Sequence, residues 1–141
     1  MNVLIDTNAI LDDILNRVPN ADPAHRVNQL ITDGLLHGYL TANCLTDIFY
    51  VVTKNKGETT ARVVIKNLLL LFAVVSVDGD DCLRAIDLPM QDFEDALIVV
   101  CAEKANLDYI ITNDQKFLSD SGFEVPTICP ADFLLRFYKN I

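Results

Sequence analysis

Val3-Leu4-Ile5-Asp6-Thr7-Asn8-Ala9-Ile10-Leu11 is the stretch on which the fold reading turns, and Tyr109-Ile110-Ile111-Thr112-Asn113-Asp114 is its counterpart towards the other end. In each, a short apolar run stops at polar residues and an aspartate, as a buried strand does where it leaves a sheet. Working outward, five brief runs have strand character: Asn2 to Asp6, Tyr39 to Ala42, Phe72 to Val77, Tyr109 to Thr112 and Val125 to Ile128. Between them the spacing turns helical. Pro23 to Leu36 follows Asp22 as an N-cap, with proline at the first helical position and Gly34 or Gly38 to end it. Leu45, Ile48, Phe49 and Val52 fall on one helical stripe closed by Gly57, and the stretch from there to about Leu71 repeats the pattern. A further helix starts near Asp92, with Phe93, Ala96, Leu97, Val100 and Cys101 on one face. Strands alternating with helices imply right-handed crossovers and a parallel sheet covered on both faces, a three-layer α/β class.

A chain of 141 residues, about half of them apolar, suits one domain spanning residues 1–141. No apolar run approaches the roughly 20 residues of a membrane span. The longest, Leu68 to Val75, reads as a helix end running into a strand, and no export signal is visible, so the expected location is the cytoplasm. Cys44, Cys82, Cys101 and Cys129 are scattered without CxxC spacing, which argues against structural zinc and for small buried side chains. Acidic residues outnumber lysine and arginine by 20 to 11, the opposite of a nucleic-acid binder's footprint. That objection weakens where carboxylates hold divalent cations, because the bound ion inverts the local charge. Lys54, Lys56, Arg62 and Lys66 fall within thirteen residues containing one acid, Glu58, and form the candidate contact to a nucleic-acid phosphate backbone; a solvated helix face explains them equally well.

Asp6 and Asp114 sit where two strands run out, and ligands of open parallel sheets collect beyond the carboxyl ends of the strands. Asp92 and Asp95 share the first turn of a helix, and Asp47 lies off the apolar stripe of the helix after the second strand. Hard oxygen donors of this kind suit Mg²⁺, which is usually held by a few carboxylates together with water and phosphate. Each acid also has a structural explanation: Asp92 with Asp95 as a capping box, Asp6 as a helix cap, Asp114 as a turn residue, Asp47 as a solvent-facing side chain. His25 and His37 stand apart from these motifs, as surface or helix-end residues.

Three of these stretches together, Val3-Leu4-Ile5-Asp6-Thr7-Asn8, Asp92-Phe93-Glu94-Asp95-Ala96-Leu97 and Tyr109-Ile110-Ile111-Thr112-Asn113-Asp114, resemble the successive acidic motifs of PIN-domain ribonucleases over nearly the whole chain. The resemblance implies a central five-stranded parallel sheet of order 3-2-1-4-5, which makes the Asp6 and Asp114 strands neighbours. It also implies Mg²⁺- or Mn²⁺-dependent cleavage of single-stranded RNA. Compact members are VapC-like toxins, inhibited by an antitoxin and often homodimeric. By position, Asp6, Asp95 and Asp114 match metal-binding acids, and Asn8 and Thr112 match residues that position ligands or water. The sequence departs from the family at the glutamate usual after strand two, where Asp47 stands one methylene shorter. Asp92 is a possible substitute, and Glu94, adjacent to Asp95, is expected to point elsewhere. The competing implication is a PIN-like binding module with weakened catalysis. A receiver domain lacks its lysine in Thr127-Ile128-Cys129-Pro130, and a haloacid-dehalogenase-like phosphatase lacks Asp-x-Asp after the first strand. The apolar surface of the helices after strand two is the expected seat of an antitoxin helix.

Overall fold

A computed structural model of the chain describes residues 1–120 and 122–139; Ser121, Asn140 and Ile141 lie outside the described residues, so the expected extent of 1–141 reaches slightly beyond them. The elements run β1 (Asn2–Ile5), α1 (Thr7–Ile14), α2 (Ala21–Thr32), β2 (His37–Thr41), α3 (Ala42–Lys56), α4 (Glu58–Leu71), β3 (Ala73–Val75), α5 (Gly79–Ile86), α6 (Phe93–Lys104), β4 (Tyr109–Ile111), α7 (Gln115–Ser119), β5 (Thr127–Ile128) and α8 (Pro130–Phe137). All four strand pairings are parallel, and the sheet order is β3-β2-β1-β4-β5. The expected three-layer α/β/α sheet of order 3-2-1-4-5 is therefore what the chain forms. Strand order reverses between β1 and β4, which opens a crevice at their carboxyl ends.

Side chains alternate across the sheet with period two, and this sorts the core into layers. Val3, Ile5 and Ile111 pack with Ile10, Leu30, Ile48 and Phe133, from helices α1, α2, α3 and α8. Leu4 and Ile110, one residue out of step, pack on the opposite face with Ile98, Cys101 and Phe117, from α6 and α7. Helix α6 is buried from Asp95 to Ala102 on every side, so it has no polar face, and an acid at its start is carried into the interior rim.

Four strands are shorter than the sequence suggests, β1 by Asp6, β3 by Phe72, Ser76 and Val77, β4 by Thr112 and β5 by Val125 and Pro126, whereas β2 starts two residues earlier than expected, at His37, and ends at Thr41. Helix α2 begins at Ala21 behind Asn20, which makes no side-chain cap; Asp22 and Pro23 lie inside its first turn. A proline is accommodated there because the first turn's N–H groups have no intrahelical acceptor. Gly57 does close α3, at φ +90° and ψ 163°, a conformation that favours glycine. Phe93 is 43% exposed rather than part of the α6 core face. Helices α5, α7 and α8 are additional to the sequence reading, and α1 entered it only as a helix for Asp6 to cap. Cys44 and Cys101 are buried, Cys82 and Cys129 only half-buried, and all four are free thiols. Among the described residues, no helix is long and apolar enough to cross a membrane.

Candidate functional site

The two strand ends are tied together first through the backbone: Asp6 N–H donates to the Ile111 carbonyl at 2.9 Å, continuing the β1–β4 ladder by one step. Asp6 then caps α1, its Oδ1 accepting from Thr7 N–H at 2.8 Å. Its Oδ2 accepts from the Thr112 hydroxyl at 2.8 Å and from Asn8 Nδ2 at 3.0 Å. Thr112 is wholly buried, and its oxygen also accepts from Asn8 Nδ2 and from Asp114 N–H, both at 3.1 Å. Asn8 Oδ1 accepts from Asn113 N–H at 2.9 Å, and Asn113 Nδ2 donates to the buried Asp12 carboxylate at 2.7 Å. Asn8 and Thr112 thus hold Asp6 and the Asp114 turn in fixed relation.

The acids of α6 divide into two roles. Asp92 is the N-cap, accepting from Asp95 N–H at 3.0 Å. The reciprocal half of a capping box is missing, whereas Asp78 and Asp81 complete both halves at α5. Among the described residues, the Asp95 carboxylate accepts no hydrogen bond although it is only 8% exposed. Capping therefore explains Asp92 and leaves the Asp95 carboxylate without a structural task.

Asp6, Asn8, Asp92, Glu94, Asp95 and Asp114 line one hollow of about 240 Å³, with Arg17 at its edge. A second hollow of about 600 Å³ shares Asp92, Asp95 and Asp114 and has Lys116 on its wall. A larger hollow, about 910 Å³ beside β5 and α8, contains Tyr109, Cys129, Asp132 and Arg136 but no gathering of acids; size and chemistry do not coincide here, and the chemistry decides. Glu94, expected to point away, lines the acidic hollow: the N-terminus of α6 faces the rim, so successive first-turn side chains both reach it. Asp47 stands close enough to Glu94 to perturb its carboxyl but does not itself line the hollow. Lys54, Lys56, Arg62 and Lys66 are exposed on α3 and α4 and line neither hollow. Arg62 is engaged by Glu58 at 2.8 Å and Lys54 lies over the Tyr50 ring.

Crowding and burial disfavour the charged forms. Burial raises the Asp6 carboxyl, helped by the charge of Asp114 and opposed by the hydrogen bonds from Thr112, Thr7 and Asn8. Burial, then Asp92, Asp6, Asp114 and Glu94, push Asp95 up to about 7. Glu94 is raised by burial and then by Asp47. A divalent cation would relieve this repulsion, and the all-oxygen donor set suits Mg²⁺ or Mn²⁺. Among the described residues, no three His, Cys, Asp or Glu side chains are already placed to hold a metal ion. Mg²⁺ does not require such a cage, since one or two carboxylates with water and phosphate usually hold it.

An open parallel sheet with a carboxylate crevice at its switch point defines the class. A PIN domain family model matches residues 2–116, and the chain belongs to the PIN domain family. No curated protein matches the sequence. Among solved structures, the chain is similar to VapC20 of Mycobacterium tuberculosis, described as a toxin cleaving the sarcin–ricin loop: 18% identity, TM-score 0.67, covering 86% of this chain and 95% of that one. It is also similar to a chain of DNA-bound VapBC from Salmonella typhimurium, at 15% identity and TM-score 0.67, covering 92% and 98%. A toxin–antitoxin complex from Klebsiella pneumoniae gives 18% identity and TM-score 0.65, covering 91% and 97%. At these identities the likeness is one of fold.

Proposed function

We propose that residues 1–141 form one PIN-like domain that hydrolyses phosphodiester bonds of single-stranded RNA with Mg²⁺ or Mn²⁺, as the cytoplasmic toxin of a toxin–antitoxin pair. The observation that carries this reading is Asp95: a carboxylate brought into a buried acidic rim with no hydrogen-bond donor, beside Asp6 and Asp114. Packing like charges together without a cation is unfavourable, which supports a site built for one. Asp6, Asp95 and Asp114 would hold the ion, with Asp92, Asp47 and Glu94 adding negative charge around it. The ion supplies Lewis-acid polarisation and lowers the pKa of water. The chain's own residues do the positioning: Thr112 and Asn8 fix the Asp6 carboxylate, and the Asn8–Asn113 bond fixes the turn that presents Asp114.

The chains of toxin–antitoxin complexes that share the fold support an antitoxin partner, as does the apolar surface left on α3 and α4, where Tyr50, Val63 and Leu70 are exposed. A homodimer is part of the same reading. The test is cleavage of a mixed single-stranded RNA pool with Mg²⁺, Mn²⁺ or EDTA, comparing the parent with Asp6→Asn. Metal-dependent cutting lost in the variant is expected. No cutting, together with no Mn²⁺ binding by calorimetry, would establish a non-catalytic PIN-like module instead, the reading that the shorter Asp47 and the net charge of −9 favour.

A further inference from the structure

We infer that Arg17 and Lys116 bracket the carboxylate centre and receive RNA backbone phosphates on its two sides, so that the strand crosses from one hollow to the other; this rests on the nuclease reading above. The two hollows meet on Asp92, Asp95 and Asp114, and Arg17 and Lys116 are the basic residues that line them, one in each. Both cations have capacity to spare. Arg17 has a side chain 45% exposed, and its nearest ion-pair oxygen, on Asp12, is 3.9 Å away, beyond hydrogen-bond length. That carboxylate already accepts from Asn113 at 2.7 Å, so Arg17 is tethered loosely while its donors remain open to a phosphate. Lys116 is exposed and spends its backbone N–H on Asp114 Oδ1; among the described residues its ammonium makes no ion pair or hydrogen bond. Three other basic side chains are committed elsewhere, Arg62 to Glu58, Arg84 to Glu103 and Lys104 to Asp81, and the exposed Lys56 and Lys66 line neither hollow. An acidic crevice repels a polyanion everywhere except where cations interrupt it, and here the interruptions flank the acids. A phosphodiester chain anchored at both flanks would lie with an intervening linkage over Asp95 and Asp114.

The test separates backbone contact from structural support. Binding of a labelled single-stranded RNA is measured in Mg²⁺ against KCl concentration, in the Asp6→Asn background to prevent cleavage, for Arg17→Ala, Arg17→Lys and Lys116→Ala. KM and kcat are measured with Asp6 intact. Loss of one phosphate contact should flatten the slope of log K against log salt by about 0.7, and the double alanine variant by about 1.4. KM should rise more than kcat falls, and Arg17→Lys should restore most of the slope. If the parent cleaves RNA while both alanine variants keep its slope and KM, the inference fails and the nuclease reading stands. The inference fails equally if Arg17→Ala only lowers the melting temperature. A parent that neither binds nor cuts RNA would remove both.

Discussion

Asp95→Asn should make the metal-free protein more stable, and only at high pH. Burial and four neighbouring acids raise this carboxyl from 3.8 to about 7, so the folded chain holds its proton more tightly than the unfolded chain does. As far as this group is concerned, stability is fully present below about pH 4, falls as pH rises towards 7 and levels off above. At about 1.36 kcal/mol per unit, the rise corresponds to at most about 4 kcal/mol of charge destabilisation at pH 8. The rim is open to water, and about 2 kcal/mol is the figure expected after screening. Asparagine keeps the shape and removes the charge. In EDTA at pH 8 the variant should therefore melt roughly 6 °C above the parent, taking about 3 °C per kcal/mol for a chain of this size. At pH 3, below the unfolded pKa, the two curves should nearly coincide, because Asp95 is then protonated in both the folded and the unfolded chain. Adding Mg²⁺ at pH 8 should raise the parent's melting temperature more than the variant's. Equal melting at pH 8, or the same gain at both pH values, would refute the account of Asp95 as a crowded, uncompensated charge.

Three further substitutions probe other parts of the argument. Asp6→Asn should lower RNA cleavage by at least about 100-fold, the upper end of what losing a ligand's support alone costs, with an unchanged far-ultraviolet circular dichroism spectrum; retained cutting would displace Asp6 from the centre. Thr112→Val keeps the volume but strips Asp6, Asn8 and Asp114 N–H of a shared partner, so urea denaturation should show a loss of about 1–3 kcal/mol and cleavage should drop with it. An unchanged midpoint and rate would mean that Asp6 is positioned by Thr7 and Asn8 alone. In Gly38→Ala the new Cβ would stand 2.7 Å from Ile31 Cδ1 and from the Phe72 ring. Overpacking of that kind should cost about 1–3 kcal/mol in the same assay, and no loss would show that the Phe72 ring can move aside.

What the sequence disclosed and what it withheld follow from range. The alternation Val3, Leu4, Ile5 is local, and it assigns each residue to its face of the sheet without further information. Gly57 likewise ends α3 by its own backbone freedom. The 5-residue α7 is too short for a periodic stripe to emerge, whereas Asp78 and Asp81 carried a capping signal for α5 and Pro130, Phe133 and Leu134 a short helical stripe for α8, both signals too brief to stand out from their surroundings. At the site, Asp6 and Asp114 were visible as strand ends. Glu94 was misjudged because adjacency on a helix suggests divergent directions, a rule that fails where the helix points end-on at the rim. Arg17 had no signal at all: it follows α1 in an irregular turn, and only the closed tertiary structure puts it beside Asp92 and Asp95.

The net charge of −9 counts against RNA binding when summed over the surface, yet a polyanion responds to the local field. Around Asp95 that field has two possible states. Without a cation, the acids repel one another and repel phosphate, so low stability at high pH and weak RNA binding have a single origin. With a divalent cation, both penalties fall together, and the flanking Arg17 and Lys116 set the direction in which a strand can lie. Cation and RNA are then linked ligands: whatever factor the ion adds to RNA affinity, RNA must add to ion affinity. Mn²⁺ affinity measured by calorimetry with and without a bound oligonucleotide should therefore differ by the same factor as RNA affinity with and without Mn²⁺. Equal Mn²⁺ affinities alongside a cation-dependent RNA affinity would violate that linkage for a 1:1 complex, and would mean that a second site or an oligomer had entered the equilibrium.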